Sequence, residues 1–203
     1  MKFFKTPFFL PWLFPRRKWG FSFKEPTVFL TFDDGPNPNI TPFVLDTLKV
    51  SGSKATFFCV GDNVRKYPEL YQRILDEGHR IGNHTMYHNN ASKTDFDTYI
   101  SSFLEAEKYI QSNLFRPPYG RLDYRKMKAI SQSKKIIMWS WLSYDFDKSV
   151  SIEKILQKAK KQIKSGDILV LHDNEKVKER MVDLLPKLLE IIKSKQLDFK
   201  TID

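Results

Sequence analysis

Cysteine is almost absent from the sequence, because Cys59 is the only one among 203 residues. An internal disulfide framework is therefore excluded. Cys59 lies in the apolar stretch 55–60, where a small buried side chain fits better than a nucleophile. Low-complexity tracts and internal repeats are missing as well. A chain of this length can form one domain with its own core.

The first 24 residues contain no acidic residue and no long apolar run. Lys5, Pro7, Pro11 and Pro15 interrupt the aromatic stretch. A signal peptide needs an unbroken apolar core of about 7–15 residues, and a membrane span needs about 20. The segment resembles neither, and the cell envelope and the cytoplasm both stay open as locations. We expect residues 1–25 to form an arm packed on or beside the domain, with a weak membrane-surface or partner contact as the alternative.

Negative charge is scarce relative to positive charge, with 24 Asp and Glu against 34 Lys and Arg. Nucleic acid attracts a basic surface, but no compact basic block with interleaved aromatic residues occurs. The lysines are spread along expected helix faces, as over 154–164. We therefore expect no nucleic-acid partner, and we interpret the charge as favouring solubility or polyanionic surroundings. We also expect a monomer.

Short apolar runs alternate with longer amphipathic segments over residues 26–203. Strands are expected over 27–32, 54–60, 79–82, 114–116, 135–141, 167–171 and 199–202, and helices over 41–52, 67–77, 95–112, 123–132, 151–164 and 177–195. This repetition predicts an α/β fold with a parallel sheet. The uninterrupted apolar strands indicate that both sheet faces are covered.

Polar side chains lie at or shortly after the carboxyl ends of five of the expected strands. They are Asp33 and Asp34 after the first strand, His84 and His88 after the third, Arg116 after the fourth, Asp145 after the fifth and His172 after the sixth. Parallel barrels and open α/β sheets carry their sites at the carboxyl ends of the strands. The sequence therefore predicts that these side chains share one site.

A divalent metal site is predicted from two of these groups. The i, i+4 spacing of His84 and His88 places two imidazoles on one side of a helical turn. Asp33 and Asp34 repel each other unless a cation offsets their charge. One Asp and two His leave an open position for water, as catalytic zinc sites do. Asp before Gly-Pro is also ordinary turn chemistry, and that interpretation stays open.

The other polar residues each have a structural and a functional interpretation. Arg116, which precedes Pro117-Pro118-Tyr119-Gly120, is either a surface residue or a bidentate partner of a carboxylate. Asp145 can orient an imidazole. His172 is either a buried or capping residue or a catalytic one, and we interpret His79 as structural.

The motifs occur in a characteristic order: Thr31-Phe32-Asp33-Asp34-Gly35, His84-Thr85-x-x-His88, Arg116-Pro117-Pro118-Tyr119-Gly120, Asp145, and Leu171-His172. This pattern resembles the NodB-type polysaccharide deacetylases, carbohydrate esterase family 4, over residues 26–203. The resemblance implies a single domain with a distorted (β/α) barrel. It also implies an enzyme that hydrolyses a linear amide and releases acetate from an N-acetylated glycan, such as chitin oligomers or peptidoglycan.

The resemblance also implies a role for each site residue. Asp34, His84 and His88 would bind Zn²⁺, with Co²⁺ or Ni²⁺ as alternatives. Asp33 would be the general base positioned by Arg116, and His172 the general acid oriented by Asp145. The backbone N–H of Tyr119 would join the metal in holding the oxyanion.

Two positions depart from the family pattern. Leu142 stands where members often carry a further Asp, and Phe146 stands where a Trp is common. These changes bear on substrate fit, because the catalytic set is complete. An O-acetyl esterase acting on acetylated xylan, and a catalytically silent carbohydrate-binding protein of the same fold, are the alternative functions.

Overall fold

The computed structural model describes residues 2–22 and 25–203. Met1, Phe23 and Lys24 of the expected arm lie outside the described residues. The strands of the described part are β1 (Arg17–Lys18), β2 (Thr27–Asp33), β3 (Thr56–Cys59), β4 (Arg80–Asn83), β5 (Leu114–Phe115), β6 (Lys135–Ile137), β7 (Trp141–Leu142), β8 (Ile168–His172) and β9 (Asp198–Phe199). The helices are α1 (Leu10–Leu13), α2 (Thr41–Ser51), α3 (Gly61–Lys66), α4 (Pro68–Asp76), α5 (Phe96–Glu107), α6 (Tyr124–Ile130), α7 (Ile152–Gln162) and α8 (Lys178–Ser194).

The strands form one curled parallel sheet in the order β1-β6-β5-β4-β3-β2-β8-β7, with β9 added to β2. Each ladder between two of these strands is parallel. The two ends of the order, β1 and β7, are not neighbours in it, so the sheet is an open half-barrel rather than a closed one. Helices surround it, as in the predicted distorted (β/α) barrel of a single domain.

Strand β2 lies at the centre of the fold, and each of its seven residues is buried. Alternate residues of a strand point to opposite faces. Leu30 and Phe32 therefore pack outward in the core that includes α2 and α8. Phe29 packs inward beside Phe58 and Ile168 from other strands. The same alternation directs Asp33 inward at the carboxyl end of β2.

The arm bridges the two free edges of the half-barrel. Near one edge, the Thr6 N–H donates to the Ser140 carbonyl, and the Phe4 ring is buried against Trp141. At the other edge, β1 pairs with β6, and Arg17 is in register with Ile136. The arm, in the part that the structure describes, thus contacts the barrel near residues 4–6 and again at β1.

Several expected elements differ from the observed ones. The expectation of one strand over 135–141 is wrong, since the chain forms β6 and β7 separated by residues 138–140. Helix α5 ends at Glu107 rather than at 112, and β9 begins and ends earlier than expected. The short helices α1 and α3 and strand β1 were not expected. No helix in the described ranges is long and apolar enough to span a membrane.

Candidate active site

The carboxyl ends of the strands surround one open cavity of about 920 Å³. Its lining includes Asp33, Asp34, His84, His88, Tyr119 and His172. Arg116 and Asp145 are fully buried directly behind it, in contact with Asp33 and His172. The structure therefore brings together every residue that the sequence predicted for the site. Leu142 and Phe146, the two departures from the family pattern, line the same cavity.

Asp34, His84 and His88 form the candidate metal site. One ligand atom from each lies within 4.8 Å of the other two. Asp34 Oδ1 lies 3.0 Å from His88 Nε2 and 3.5 Å from His84 Nε2. This oxygen is buried and has no hydrogen-bond partner among the described residues. A buried carboxylate oxygen without a partner, facing two imidazole nitrogens, fits a divalent cation.

The protonation states of His84 and Asp34 suit a bound cation. His84 Nδ1 lies 2.7 Å from the Arg116 carbonyl oxygen, which can only accept a hydrogen bond. His84 therefore carries its proton on Nδ1, and the lone pair of Nε2 faces Asp34. The pKa of Asp34 lies well below its usual value, although burial would raise it. The carboxyl group is consequently an anion at neutral pH.

The expected helical turn over His84–His88 is wrong. Residues 84–88 are not helical. Thr85 and His88 instead adopt left-handed backbone angles, with φ of 64° and 54°. These two bends place the imidazole centroids 5.1 Å apart. Asp34 is also left-handed, with φ of 84°, so the cluster depends on loop conformation rather than on helical periodicity.

Asp33 is held by a fully buried arginine. Arg116 Nη1 donates to Asp33 Oδ1 at 2.6 Å and to Thr31 Oγ1 at 2.6 Å. Its Nη2 donates to the Met138 carbonyl at 3.0 Å, and the guanidinium lies 4.0 Å from the centroid of the Phe58 ring. With the guanidinium fixed by these contacts, the Asp33 carboxylate has one orientation, directed into the cavity.

His172 forms a second oriented pair with Asp145. Nδ1 of the imidazole lies 2.7 Å from Asp145 Oδ1, and the His172 backbone N–H donates to Asp145 Oδ2 at 2.7 Å. Burial alone would lower the pKa of His172. The Asp145 carboxylate more than offsets this, with help from Asp34 and Asp33, and raises the pKa to about 10. His172 is therefore protonated at neutral pH and can donate a proton from Nε2.

Tyr119 lies in the short turn Pro118–Gly120 at the rim of the cavity. Its backbone is left-handed, with φ of 59°, and its ring centroid is 4.6 Å from that of His88. This turn thus borders the candidate metal site.

Asn174 was not predicted as a site residue. Its side-chain Nδ2 donates to Asp34 Oδ2 at 2.6 Å, so it orients the carboxylate whose other oxygen faces the histidines. The only sequence signal is its place two residues after His172, at the end of β8. A contact between residues 140 apart in the chain leaves no local pattern.

Comparison with known proteins identifies the family. Residues 22–135 match the family described as polysaccharide deacetylase. The chain belongs to this family. A peptidoglycan-N-acetylglucosamine deacetylase of Bacillus cereus is 35% identical over 191 residues, which cover 91% of this chain and 90% of the relative. A chitooligosaccharide deacetylase of Bradyrhizobium is 34% identical over 174 residues, which cover 81% and 78%.

A solved structure has the same architecture. The Bc1960 peptidoglycan N-acetylglucosamine deacetylase superposes with a TM-score of 0.88 at 32% identity, covering 97% of this chain and 95% of that one. Membership of the polysaccharide deacetylases confirms the predicted resemblance, the predicted fold and the prediction of a hydrolase that cleaves an amide bond.

Proposed function

We propose that this polysaccharide deacetylase is a metal-dependent N-deacetylase. It would hydrolyse the acetamide of N-acetylglucosamine units in peptidoglycan or chitin oligomers and release acetate. The observation that carries the proposal is the pairing of two oriented groups around one candidate metal site. Asp33, held by Arg116, and His172, held by Asp145, border the cavity into which Asp34, His84 and His88 project.

Asp34, His84 and His88 would hold the metal, and their donor set suits Zn²⁺, with Co²⁺ and Ni²⁺ as alternatives. When bound, a divalent ion polarises an amide carbonyl and lowers the pKa of a coordinated water. Asn174 fixes the Asp34 carboxylate, which otherwise could rotate away from the two imidazoles.

Asp33 would act as the general base. Arg116 occupies one oxygen of its carboxylate, Oδ1. The carboxylate can accept a proton from water in the cavity. The backbone N–H of Tyr119 would stabilise the negative charge that develops on the acetyl oxygen, a contribution of about 3 kcal/mol in comparable sites.

His172 would act as the general acid. An amine is a poor leaving group unless it is protonated as the C–N bond breaks. Asp145 keeps the His172 imidazole charged and fixes its Nδ1, so the proton available to the leaving nitrogen is the one on Nε2. The products are acetate and a free amino sugar.

N-acetylglucosamine is the proposed substrate unit because one group of relatives is named for it and the other is named for chitooligosaccharides, which are built from the same sugar. One group acts on peptidoglycan N-acetylglucosamine and the other on chitooligosaccharides. Identities of 34–35% over most of the chain support a common acetamide-bearing sugar for this protein.

The test measures acetate released from chitin oligomers, peptidoglycan and acetylated xylan, with and without a chelator. We expect release from the amide substrates, loss with the chelator and recovery on adding Zn²⁺. Asp33→Asn should lower turnover by about 10²–10⁴-fold, the usual loss for a general base. Asp97→Asn makes the same chemical change on the exposed face of α5 and should leave turnover unchanged.

Acetate release only from acetylated xylan would indicate an O-acetyl esterase instead of an N-deacetylase. Saturable glycan binding without acetate release under any metal would identify a silent binding protein. Turnover that survives both the chelator and Asp33→Asn would contradict the mechanism itself.

A further inference from the structure

The arm carries a group of large apolar side chains that the barrel does not cover. We define residues 7–16 as the arm tip; it includes helix α1. Phe8 is 92% exposed and Trp12 is 81% exposed. Phe9, Leu13 and Phe14 are also exposed. Soluble proteins seldom leave so many neighbouring large apolar side chains in water unless they form a contact site.

The arm tip projects from two fixed points. Before it, Phe4 is buried, and Thr6 is hydrogen-bonded to residues 139 and 140. After it, β1 pairs with β6, and Arg17 donates to the Leu122 carbonyl. The arm tip is therefore a loop anchored at both ends. Its apolar residues are exposed in the folded chain, so a partner could contact them without unfolding.

Basic residues flank the arm tip along the sequence. Residues 2–22 include Lys2, Lys5, Arg16, Arg17 and Lys18 and no acidic residue. Lys2 and Lys5 are already paired with Asp147 and Asp167 of the barrel. Arg16 and Lys18 are exposed next to the aromatic residues. Each basic residue near an anionic lipid surface contributes about 1 kcal/mol to binding.

We propose that the arm tip docks the enzyme onto the surface of an anionic lipid bilayer. Phe8, Trp12 and Leu13 would enter the headgroup region, where aromatic rings are favoured, and Arg16 and Lys18 would face lipid phosphates. This inference is independent of the proposed reaction, because no residue of the arm tip belongs to the catalytic set.

Two other occupants fit less well. A second copy of the chain, docked arm tip against arm tip around a two-fold axis, would bring equal clusters of Arg and Lys together. A glycan strand stacks on coplanar aromatic rings, but the Phe8 and Phe9 rings are inclined at 84° to each other. Lipid chains impose no such alignment, and lipid phosphates complement the charge.

The test is sedimentation of the full chain with vesicles of phosphatidylglycerol and phosphatidylcholine, and with pure phosphatidylcholine vesicles. We expect binding to the anionic vesicles and at least about tenfold weaker binding to the neutral ones. F8S/W12S should weaken anionic binding by at least about tenfold, because two large apolar groups are lost. Deacetylation of a soluble chitin oligomer should stay unchanged in this variant.

Two control variants test whether vesicle binding depends on the arm tip or on the overall apolar surface and net charge. V50S/L104S removes exposed apolar groups from α2 and α5, and it should bind vesicles like the unmodified chain. R16E/K18E and K154E/K161E change the net charge equally, but only the first pair lies beside the arm tip. We expect only R16E/K18E to lose anionic binding, by about tenfold or more.

Three results would overturn the proposal. Equal binding of F8S/W12S and the unmodified chain to anionic vesicles would show that the arm tip is not the membrane contact. An F8S/W12S-sensitive dimer without vesicle binding would indicate self-association. F8S/W12S-sensitive binding to insoluble peptidoglycan or chitin, again without vesicle binding, would indicate a glycan contact.

Discussion

Asp33 and Asp34 are adjacent in the chain, yet their carboxylates meet different partners. The alternation of β2 turns Asp33 inward to Arg116. The left-handed backbone of Asp34 then turns its side chain toward His84, His88 and Asn174. Two identical side chains thus have separate environments, and we expect their amide variants to fail in different ways.

Asp34→Asn replaces an anionic ligand by a neutral one, so metal affinity should fall by at least about 100-fold. Loss of a residue that only orients a ligand already costs up to about 100-fold. Asp33→Asn should retain metal within about twofold, since its carboxylate faces Arg116. Competition titration with a chromophoric chelator measures both affinities. Equal loss of metal in the two variants would show that the division of roles is wrong.

Asp145→Asn should change the pH dependence of turnover. The pKa of His172 is about 10 because Asp145 outweighs the effect of burial, so the neutral variant should have a lower His172 pKa. The alkaline limb of kcat/KM would then move to lower pH, with a larger loss at pH 9 than at pH 6. An alkaline limb that does not move would mean that His172 is not the acid.

The same pair makes stability depend on pH. The pKa of His172 in the fold lies above its ordinary value of 6.5, so its pairing with Asp145 stabilises the fold fully below about pH 6.5. This contribution is lost as the pH rises through about 10. Asp145→Asn should therefore destabilise the protein more at pH 6 than at pH 10, as chemical denaturation at both values can measure.

At the scale of single elements, local signals were sufficient where an element has its own apolar pattern with Pro at its start and Gly at its end. Helix α2 begins at Thr41 with Pro42 beside it and ends before Gly52, whose φ of 65° is the left-handed cap that glycine allows. Helix α3 lacked such a signal: it is six residues long, and only Gly61 and Val64 are buried.

The break between β6 and β7 could not be predicted, because it depends on a distant partner. The Met138 N–H donates to Lys18 of the arm, whereas the Ser140 N–H donates to Ile168 at the start of β8. The chain changes hydrogen-bonding partner within three residues. The local sequence 135–141 is uniformly β-like and carries no information about the arm.

The attachment of the arm gives a prediction with a matched control. Phe4 is buried against Trp141 and Tyr144, and Phe→Ala changes in such places cost about 3–5 kcal/mol. Phe4→Ala should lower the free energy of unfolding by this amount. Phe3→Ala, at a side chain that is 58% exposed, should change it by less than about 0.5 kcal/mol. Urea denaturation distinguishes the two, and similar losses would mean that the arm is not part of the folded unit.

At the scale of the whole molecule, the sequence predicted a parallel sheet with its site at the carboxyl ends. Placing each polar residue after a strand was enough to gather Asp34, His84 and His172 around one cavity. It was not enough to give the hydrogen bond from Asn174 to Asp34 or the left-handed turns at Thr85 and His88. Those features depend on how loops from different strands pack against each other.

A metal bound by Asp34, His84 and His88 would also stabilise the whole fold, because these residues come from loops after two different strands. A ligand present at 100 times its Kd adds about 2.7 kcal/mol to the free energy of unfolding. Chelation should therefore lower Tm, and added Zn²⁺ should restore it. The Asp34→Asn variant should show a smaller response, and an equal response would place the stabilising metal elsewhere.

The arm joins the beginning of the described chain to parts made much later. Thr6 contacts residue 139, which is 133 positions away, and Lys5 contacts Asp167, which is 162 positions away. At translation rates of about 5–20 residues per second, Phe4 waits on the order of ten seconds before its partners exist. The arm can therefore bridge the two edges of the half-barrel only when most of the chain has been synthesised. A nascent chain that ends before β7 should accordingly leave its arm open to protease, while one that extends past β8 should protect it.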